Sequence, residues 1–99
     1  MKIPRKLIKA SKSENRSLVA RGLKLNEEAG ELAAEILKYK GMKSTKGKTK
    51  KEVLYDLHLE AVDCLIMAFD VLVATGATNK RIDCIMNSQL DKWMNYKKK

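Results

Sequence analysis

The chain has 99 residues, which is enough for one domain and too few for two independent hydrophobic cores. Apolar residues make up 44% of it and charged residues 33%, which permits a modest core and argues against collagen-like, low-complexity and disordered classes. Asp63 and Asp70 interrupt the best candidate for a membrane span, which needs roughly 18–20 apolar residues. Because no apolar signal sequence follows the basic N-terminus, we predict one soluble, cytoplasmic domain over residues 1–99 with no membrane partner.

The charge is strongly positive and unevenly distributed. Lysine and arginine number 21 against 12 acidic residues, which gives a net charge of +9 at pH 7. Most of the acids lie between Glu27 and Asp70. Basic residues concentrate in the first 24 residues, which begin with a basic N-terminal arm at 1–12, in a connection at Lys38–Lys51 and in a lysine tail at 97–99. Positive charge attracts polyanions such as nucleic acids and nucleotides. The acidic centre would repel phosphates unless a cation lay between them.

The cysteines and the single histidine do not suggest a site of their own. Cys64 and Cys84 are too few for a disulfide framework and form no Cys-x-x-Cys motif. Because both fall among apolar residues, we predict buried thiols that act as small hydrophobic side chains. We predict that His58 lies at a packing contact or an interface, on the far side of its helix from the acids.

Helix signals recur three times and strand signals are absent, which predicts an all-α fold. The first helix is expected from a Ser11–Glu14 capping box to about Lys40, with a break near Gly22 as an alternative. Its apolar residues form one seam of the kind that pairs helices in bundles, namely Leu18, Leu25, Ala29, Leu32 and Ile36.

A mobile basic loop is expected at 41–49, before the second helix. Thr49 and Glu52 form a capping box that begins this helix, and Gly76 follows its end. A third helix is expected from Thr78 or Asn79 into the lysine tail. Its stripe at i, i+3, i+4, i+7 spacing, apolar except for Gln89, contains Ile82, Ile85, Met86, Gln89, Leu90 and Trp93.

The second helix is apolar around almost its whole circumference from Val53 to Val73. Such a pattern is typical of a helix that other helices enclose. Three helices of one short chain cannot easily enclose one of their own number. We therefore predict a helical bundle of about three main helices per chain, completed as four-helix bundles by oligomerisation.

Acidic residues also mark this second helix. On a helix that turns about 100° per residue, four carboxylates fall within a sector of about 80°: Asp56, Glu60, Asp63 and Asp70. Like charges at this spacing repel, and an ionised carboxylate is costly to bury without a partner. The stripe therefore predicts compensating cations, which are either lysine and arginine side chains or a metal ion.

The first helix carries acids beside its apolar seam, namely Glu27, Glu28, Glu31 and Glu35. Pairing of the two helices through their seams would bring Glu28 and Glu31 near the segment Glu60–Asp63. Converging carboxylates are the hard oxygen ligands that Mg²⁺ and Mn²⁺ prefer. The alternative for the first-helix acids is a solvated face paired with nearby lysines. A ferritin-like di-iron site is excluded because Tyr55, not glutamate, stands three residues before His58.

The segment Leu25–Leu32 (LNEEAGEL), followed by Glu60–Asp63 (EAVD), resembles the EExxE…ExxD signature of the MazG-like all-α nucleoside triphosphate pyrophosphohydrolases. The resemblance extends over roughly Leu18 to Tyr96. It implies a homodimer or homotetramer built on four-helix bundles. It also implies Mg²⁺-dependent cleavage of a (d)NTP to a (d)NMP and pyrophosphate.

Carried over by position, the resemblance assigns four metal ligands: Glu28, Glu31, Glu60 and Asp63. Mn²⁺ is a substitute for Mg²⁺, and Glu27 acts with Glu28 in catalysis by helping to orient the attacking water. The family often places lysine and asparagine on its last helix, where Asn87 and Asp91 depart from that pattern. Lys80 and Lys92 then remain as candidates for contact with phosphate.

Further substrate contacts are expected from the basic loop and the last helix. Lys43, Lys46 and Lys48 would neutralise a triphosphate, with a solvated linker as the alternative. Trp93, with Tyr96, would stack on the base, with a role in the core as the alternative. Two competing functions remain: a small basic helical protein that binds nucleic acid, and a non-catalytic regulatory protein of the same family.

Overall fold

The computed structural model describes residues 2–97, which form four α-helices and no β-strand. The helices are α1 (Arg5–Ser13), α2 (Leu18–Tyr39), α3 (Lys50–Ala74) and α4 (Asn79–Lys97). The predicted all-α class is confirmed, with one helix more than the three expected. Met1 and the last two lysines of the predicted tail lie outside the described residues. No helix within 2–97 is long and apolar enough to cross a bilayer.

The N-terminal segment folds as helix α1, where the sequence predicted a basic arm. Ile3 is buried, and Leu7 and Ile8 pack against the same core, so one apolar side of α1 lies against α3. The predicted Ser11–Glu14 capping box is wrong, because Ser11 lies in the last turn of α1 and Glu14 follows the end of that helix. The Glu14 carboxylate accepts instead from the amide of Asn15 at 3.0 Å.

Ser17 is the residue that caps α2. Its hydroxyl accepts a hydrogen bond from the amide of Ala20 at 3.1 Å, which satisfies one of the free N–H groups at the helix start. The helix then continues without a break at Gly22 and ends at Tyr39, as predicted to within one residue. Gly41 follows with a φ of 75°, a left-handed conformation that glycine adopts without strain.

The predicted capping box of α3 is confirmed. The Thr49 hydroxyl accepts from the Glu52 amide at 3.2 Å, and the Glu52 carboxylate accepts from the Thr49 amide at 3.0 Å. Between Tyr39 and Lys50 the chain is neither helix nor strand, which agrees with the predicted loop at 41–49, and nearly all its side chains are exposed. Its mobility stays a prediction.

The apolar core lies where α1, α3 and the first turn of α4 meet. Ile3, Phe69 and Ile82 are buried there against one another. The amide of Ile3 also donates a hydrogen bond to Asn79 Oδ1 at 3.0 Å, which ties the N-terminal segment to the start of α4. In the part of the chain that the structure describes, α3 packs along both α1 and α2.

Helix α4 projects away from the other three. Within Asn79–Lys97 only Ile82 is buried, and the predicted apolar stripe beyond it is exposed. The radius of gyration is 16.2 Å, compared with about 13 Å for a compact domain of this length. Cys84 lies on this projecting segment and is exposed, so its predicted burial is wrong, whereas Cys64 on α3 is half-buried.

Helix α3 is only partly enclosed within one chain. Val53 and Phe69 are buried, but apolar side chains remain exposed along its outer side: Tyr55, Leu59, Val62, Leu65 and Ile66. His58 is exposed as well. Helices α1 and α2 alone therefore do not enclose α3 in the way that its apolar sequence predicts.

Candidate metal centre

Three of the four predicted metal ligands meet between α2 and α3. Glu28 of α2, with Glu60 and Asp63 of α3, places one carboxylate oxygen per residue within 4.8 Å of the other two. Glu60 and Asp63 are three residues apart and so share one face of α3. We call these three residues the acidic cluster.

Two oxygens of the acidic cluster are buried without a hydrogen-bond partner. They are Oε2 of Glu28, a residue only 7% exposed, and Oε2 of Glu60. Buried carboxylate oxygens normally accept hydrogen bonds, because each loses its hydration on folding. A divalent cation could satisfy them, as could a proton shared between the Glu28 and Glu60 carboxyl groups. The desolvated carboxylates of the acidic cluster therefore fit Mg²⁺ or Mn²⁺.

The same burial shifts the protonation of the acidic cluster. Desolvation of its carboxyl group, followed by its contacts with Glu28 and Glu31, raises the pKa of Glu60 to about 7. The pKa of Glu28 is lowered, chiefly because Lys24 donates to its carboxylate. Without a metal, the acidic cluster therefore keeps a proton on Glu60 up to near-neutral pH. Burial also raises the pKa of the neighbouring Cys64 thiol, so this cysteine is not an activated nucleophile.

Glu27 and Glu31 lie beside the acidic cluster. The Glu31 carboxylate is close enough to raise the pKa of Glu60, but Glu31 is exposed and lies outside the group that meets within 4.8 Å. The Glu27 side chain is 58% exposed and lies 3.6 Å from the Nζ of Lys24. The ligand role of Glu31 and the catalytic role of Glu27 stay predictions.

The two ends of the predicted acidic stripe on α3 are neutralised by side chains. Lys48 Nζ lies 2.6 Å from Asp56 Oδ2, and Arg21 Nε lies 3.6 Å from Asp70 Oδ2. The middle of the stripe, Glu60 and Asp63, has no such ion pair among the residues that the structure describes. The sequence predicted compensation by side-chain cations or by a metal ion. Side-chain cations therefore neutralise the two ends of the stripe but not its centre.

The predicted substrate contacts are dispersed in a single chain. Lys43 and Lys46 are exposed in the α2–α3 connection, and Lys48 is bound to Asp56. Lys80, Lys92 and Trp93 lie on α4, which does not pack along α2 or α3. Trp93 is 56% exposed, with the Lys97 ammonium 4.1 Å from its ring centroid, so a place in the core of one chain is excluded.

The sequence did not predict the ion pairs of two positively charged side chains near these acids. Lys24 pairs with Glu28 one helical turn later, a spacing that could have predicted the pair. Arg21 pairs with Asp70 on another helix, and no local sequence pattern predicts a contact between two helices.

In comparisons with known proteins, no family model, no curated protein and no solved structure matches this chain. The resemblance to the MazG-like family therefore rests on the residues of its two motifs.

Proposed function

We propose that the protein is a Mg²⁺-dependent nucleoside triphosphate pyrophosphohydrolase that converts a (d)NTP to a (d)NMP and pyrophosphate. The observation that carries this proposal is the acidic cluster, in which Glu28 and Glu60 each keep a buried carboxylate oxygen without a partner. The order of its residues also agrees with the EExxE…ExxD signature. The proposal includes a cytoplasmic location.

In this proposal the chain holds the ion and presents the substrate to it. Glu28, Glu60 and Asp63 would bind Mg²⁺ or Mn²⁺, with Glu31 beside them. The bound ion would neutralise phosphate oxygens and activate a water. Glu27, at the exposed edge of the acidic cluster, would orient that water. Lys43 and Lys46 are free to approach a triphosphate, whereas Lys48 would first have to leave Asp56.

The proposal includes a homodimer or homotetramer in which a second copy covers the exposed apolar sides of α3 and α4. Charge favours this pairing, because α3 carries five acidic and two basic residues and α4 carries four basic and two acidic ones. Packing of α4 from one copy along α3 of another would complete a four-helix bundle. It would also bring Lys80, Lys92 and Trp93 nearer to an acidic cluster than one chain allows.

A panel of canonical and modified (d)NTPs, assayed with Mg²⁺, Mn²⁺ or EDTA, tests the activity. We expect metal-dependent release of pyrophosphate, and not of phosphate, from at least one nucleotide. Asp63→Asn should reduce it by at least about 10²–10³-fold. Asp56→Asn is the matched control, because it removes the same charge from α3 at a position paired with Lys48.

Two results would reject the proposal. One is the absence of pyrophosphate release across the panel, and the other is equal turnover by Asp63→Asn and the wild type. Salt-dependent binding of DNA or RNA without hydrolysis would instead support the nucleic-acid alternative. That alternative assigns no role to the acidic cluster.

A further inference from the structure

Lys24 is the one lysine or arginine within ion-pair distance of the acidic cluster, among residues 2–97. Its Nζ lies 3.2 Å from Glu28 Oε1 and 3.6 Å from Glu27 Oε1. The ammonium is therefore shared between a buried carboxylate inside the acidic cluster and an exposed carboxylate just outside it. All three residues lie within about one turn of α2, so a rotation of the lysine side chain moves the charge from one to the other.

The two partners of Lys24 differ in their freedom to move. The Glu28 side chain is 9% exposed and has one oxygen facing Lys24 and one buried without a partner, whereas the Lys24 side chain is 36% exposed. Glu28 is thus fixed by packing, and the lysine can leave toward solvent without disturbing the core. A divalent ion and an ammonium group on the same carboxylate repel each other over a few ångströms.

We propose that Lys24 is the internal counter-ion of the metal site. When the metal binds, the Lys24 ammonium leaves Glu28 and pairs with Glu27. This inference rests on the proposed function, since it requires that the acidic cluster binds a metal. In the metal-free protein Lys24 neutralises part of the charge on Glu28 and so stabilises the fold. It also lowers the affinity for the metal, because its charge must be displaced before Glu28 can bind fully.

Glu27 then has a part that needs no contact with the metal. When the ion occupies the acidic cluster, the Glu27 carboxylate holds the displaced ammonium at the edge of the site. Removing Glu27 leaves Glu28 as the sole carboxylate partner of Lys24. The two substitutions Lys24→Gln and Glu27→Gln are therefore expected to change metal affinity in opposite directions.

Titration with Mn²⁺, followed by the electron paramagnetic resonance signal of the free ion, measures that affinity directly and without substrate. We expect Lys24→Gln to bind Mn²⁺ at least about threefold more tightly than the wild type, and Glu27→Gln to bind it more weakly. Lys38→Gln is the control, because Lys38 pairs with Glu35 at 2.9 Å on the same helix, away from the acidic cluster. It removes the same charge and should change the affinity less than about twofold.

The metal-free melting temperature gives the second half of the test. Lys24→Gln should melt below the wild type in EDTA, and the difference should shrink or reverse in saturating Mn²⁺. Unchanged or weaker Mn²⁺ binding by Lys24→Gln, with normal binding by the wild type, would overturn the role of Lys24 and leave the proposed function standing. If the wild type binds no Mn²⁺, the metal site itself is rejected, and the counter-ion role with it.

Discussion

Arg21 of α2 and Asp70 of α3 form an ion pair inside the three-helix body, with the Arg21 Nε 3.6 Å from the Asp70 Oδ2 and with side chains 8% and 13% exposed. The Nη2 of Arg21 also donates to the backbone carbonyls of Ser11 and Glu14, at 3.2 Å and 3.0 Å. The Ser11 hydroxyl donates to Asp70 Oδ1 at 2.6 Å. One buried polar network therefore joins α1, α2 and α3.

Arg21→Met should destabilise the fold by about 3–5 kcal/mol, because it leaves the Asp70 carboxylate buried without its cation. Urea unfolding measures the loss. The double variant Arg21→Met/Asp70→Leu should recover part of it, since no uncompensated charge remains. Arg16→Met is the control, because Arg16 is exposed and its pairing with Glu14 is screened by water. Equal stabilities of Arg21→Met and Arg16→Met would contradict a structural role for the pair.

The metal-free protein should lose stability as the pH rises from about 4.5 to about 7. The pKa of Glu60 is raised from 4.5 to about 7, chiefly by desolvation of its carboxyl group, so in this window the folded chain holds a proton that the unfolded chain has released. Glu60→Gln cannot lose that proton. Its advantage in melting temperature over the wild type, measured in EDTA, should therefore be larger at pH 8 than at pH 5.

Glu52→Gln serves as a control of opposite sign. The pKa of Glu52 is lowered, mainly because its carboxylate accepts from the Thr49 amide, so its contribution to stability is present above about pH 4.5 and is lost as the pH falls below that value. Glu52→Gln should thus be less stable than the wild type at pH 8. A pH-independent difference between Glu60→Gln and the wild type would show that Glu60 titrates normally.

Asp63→Asn should reduce (d)NTP turnover by at least about 10²–10³-fold, the loss typical of removing one electrostatic stabiliser of a transition state. Above about pH 7, where Glu60 has also lost its proton, its metal-free stability should equal or exceed that of the wild type, because one of three mutually repelling carboxylates is gone. The turnover and the melting temperature in EDTA, measured on the same sample, test both predictions. A less stable variant with unchanged turnover would identify Asp63 as a structural residue.

Leu90→Glu should shift the protein toward monomer, because it places a charge in the middle of the exposed apolar stripe of α4. Sedimentation equilibrium at micromolar concentration measures the change. Asn95→Glu adds the same charge on the opposite face of α4 and should leave the association unchanged. If the wild type sediments as an 11.2 kDa monomer, the proposed oligomer does not form.

The sequence was most informative where signals are local. The Thr49–Glu52 box, the end of α2 near Gly41 and the start of α4 at Asn79 were each predicted to within about one residue, because caps and glycine turns act over a few residues. The Ser11–Glu14 box failed although it fits the same pattern. In the folded chain the Ser11 hydroxyl bonds to Asp70, so a tertiary contact replaces the local one.

The acidic cluster was predicted in part because helical periodicity fixes which carboxylates share a face. Glu28, Glu60 and Asp63 do meet, whereas Glu31 lies beside them because the crossing of α2 and α3 decides which turn faces α3. Helix α1 was missed because lysines obscure its small apolar face, although Ile3, Leu7 and Ile8 have helical spacing. The partners of Arg21 and the projection of α4 depend on long-range packing, which no local pattern encodes.

The hydrogen bond from the Ile3 amide to Asn79 joins residues 76 positions apart and anchors the first turn of α4. Ile3 precedes α1 and makes no helical hydrogen bond, so the bond to Asn79 and the burial of Ile3 protect its amide from exchange with solvent. In deuterated buffer the exchange rate of that one amide should therefore report how stably the first turn of α4 is attached to the N-terminal segment. If α4 pairs with a second copy as proposed, dilution should raise this rate before any amide in the middle of α3 responds.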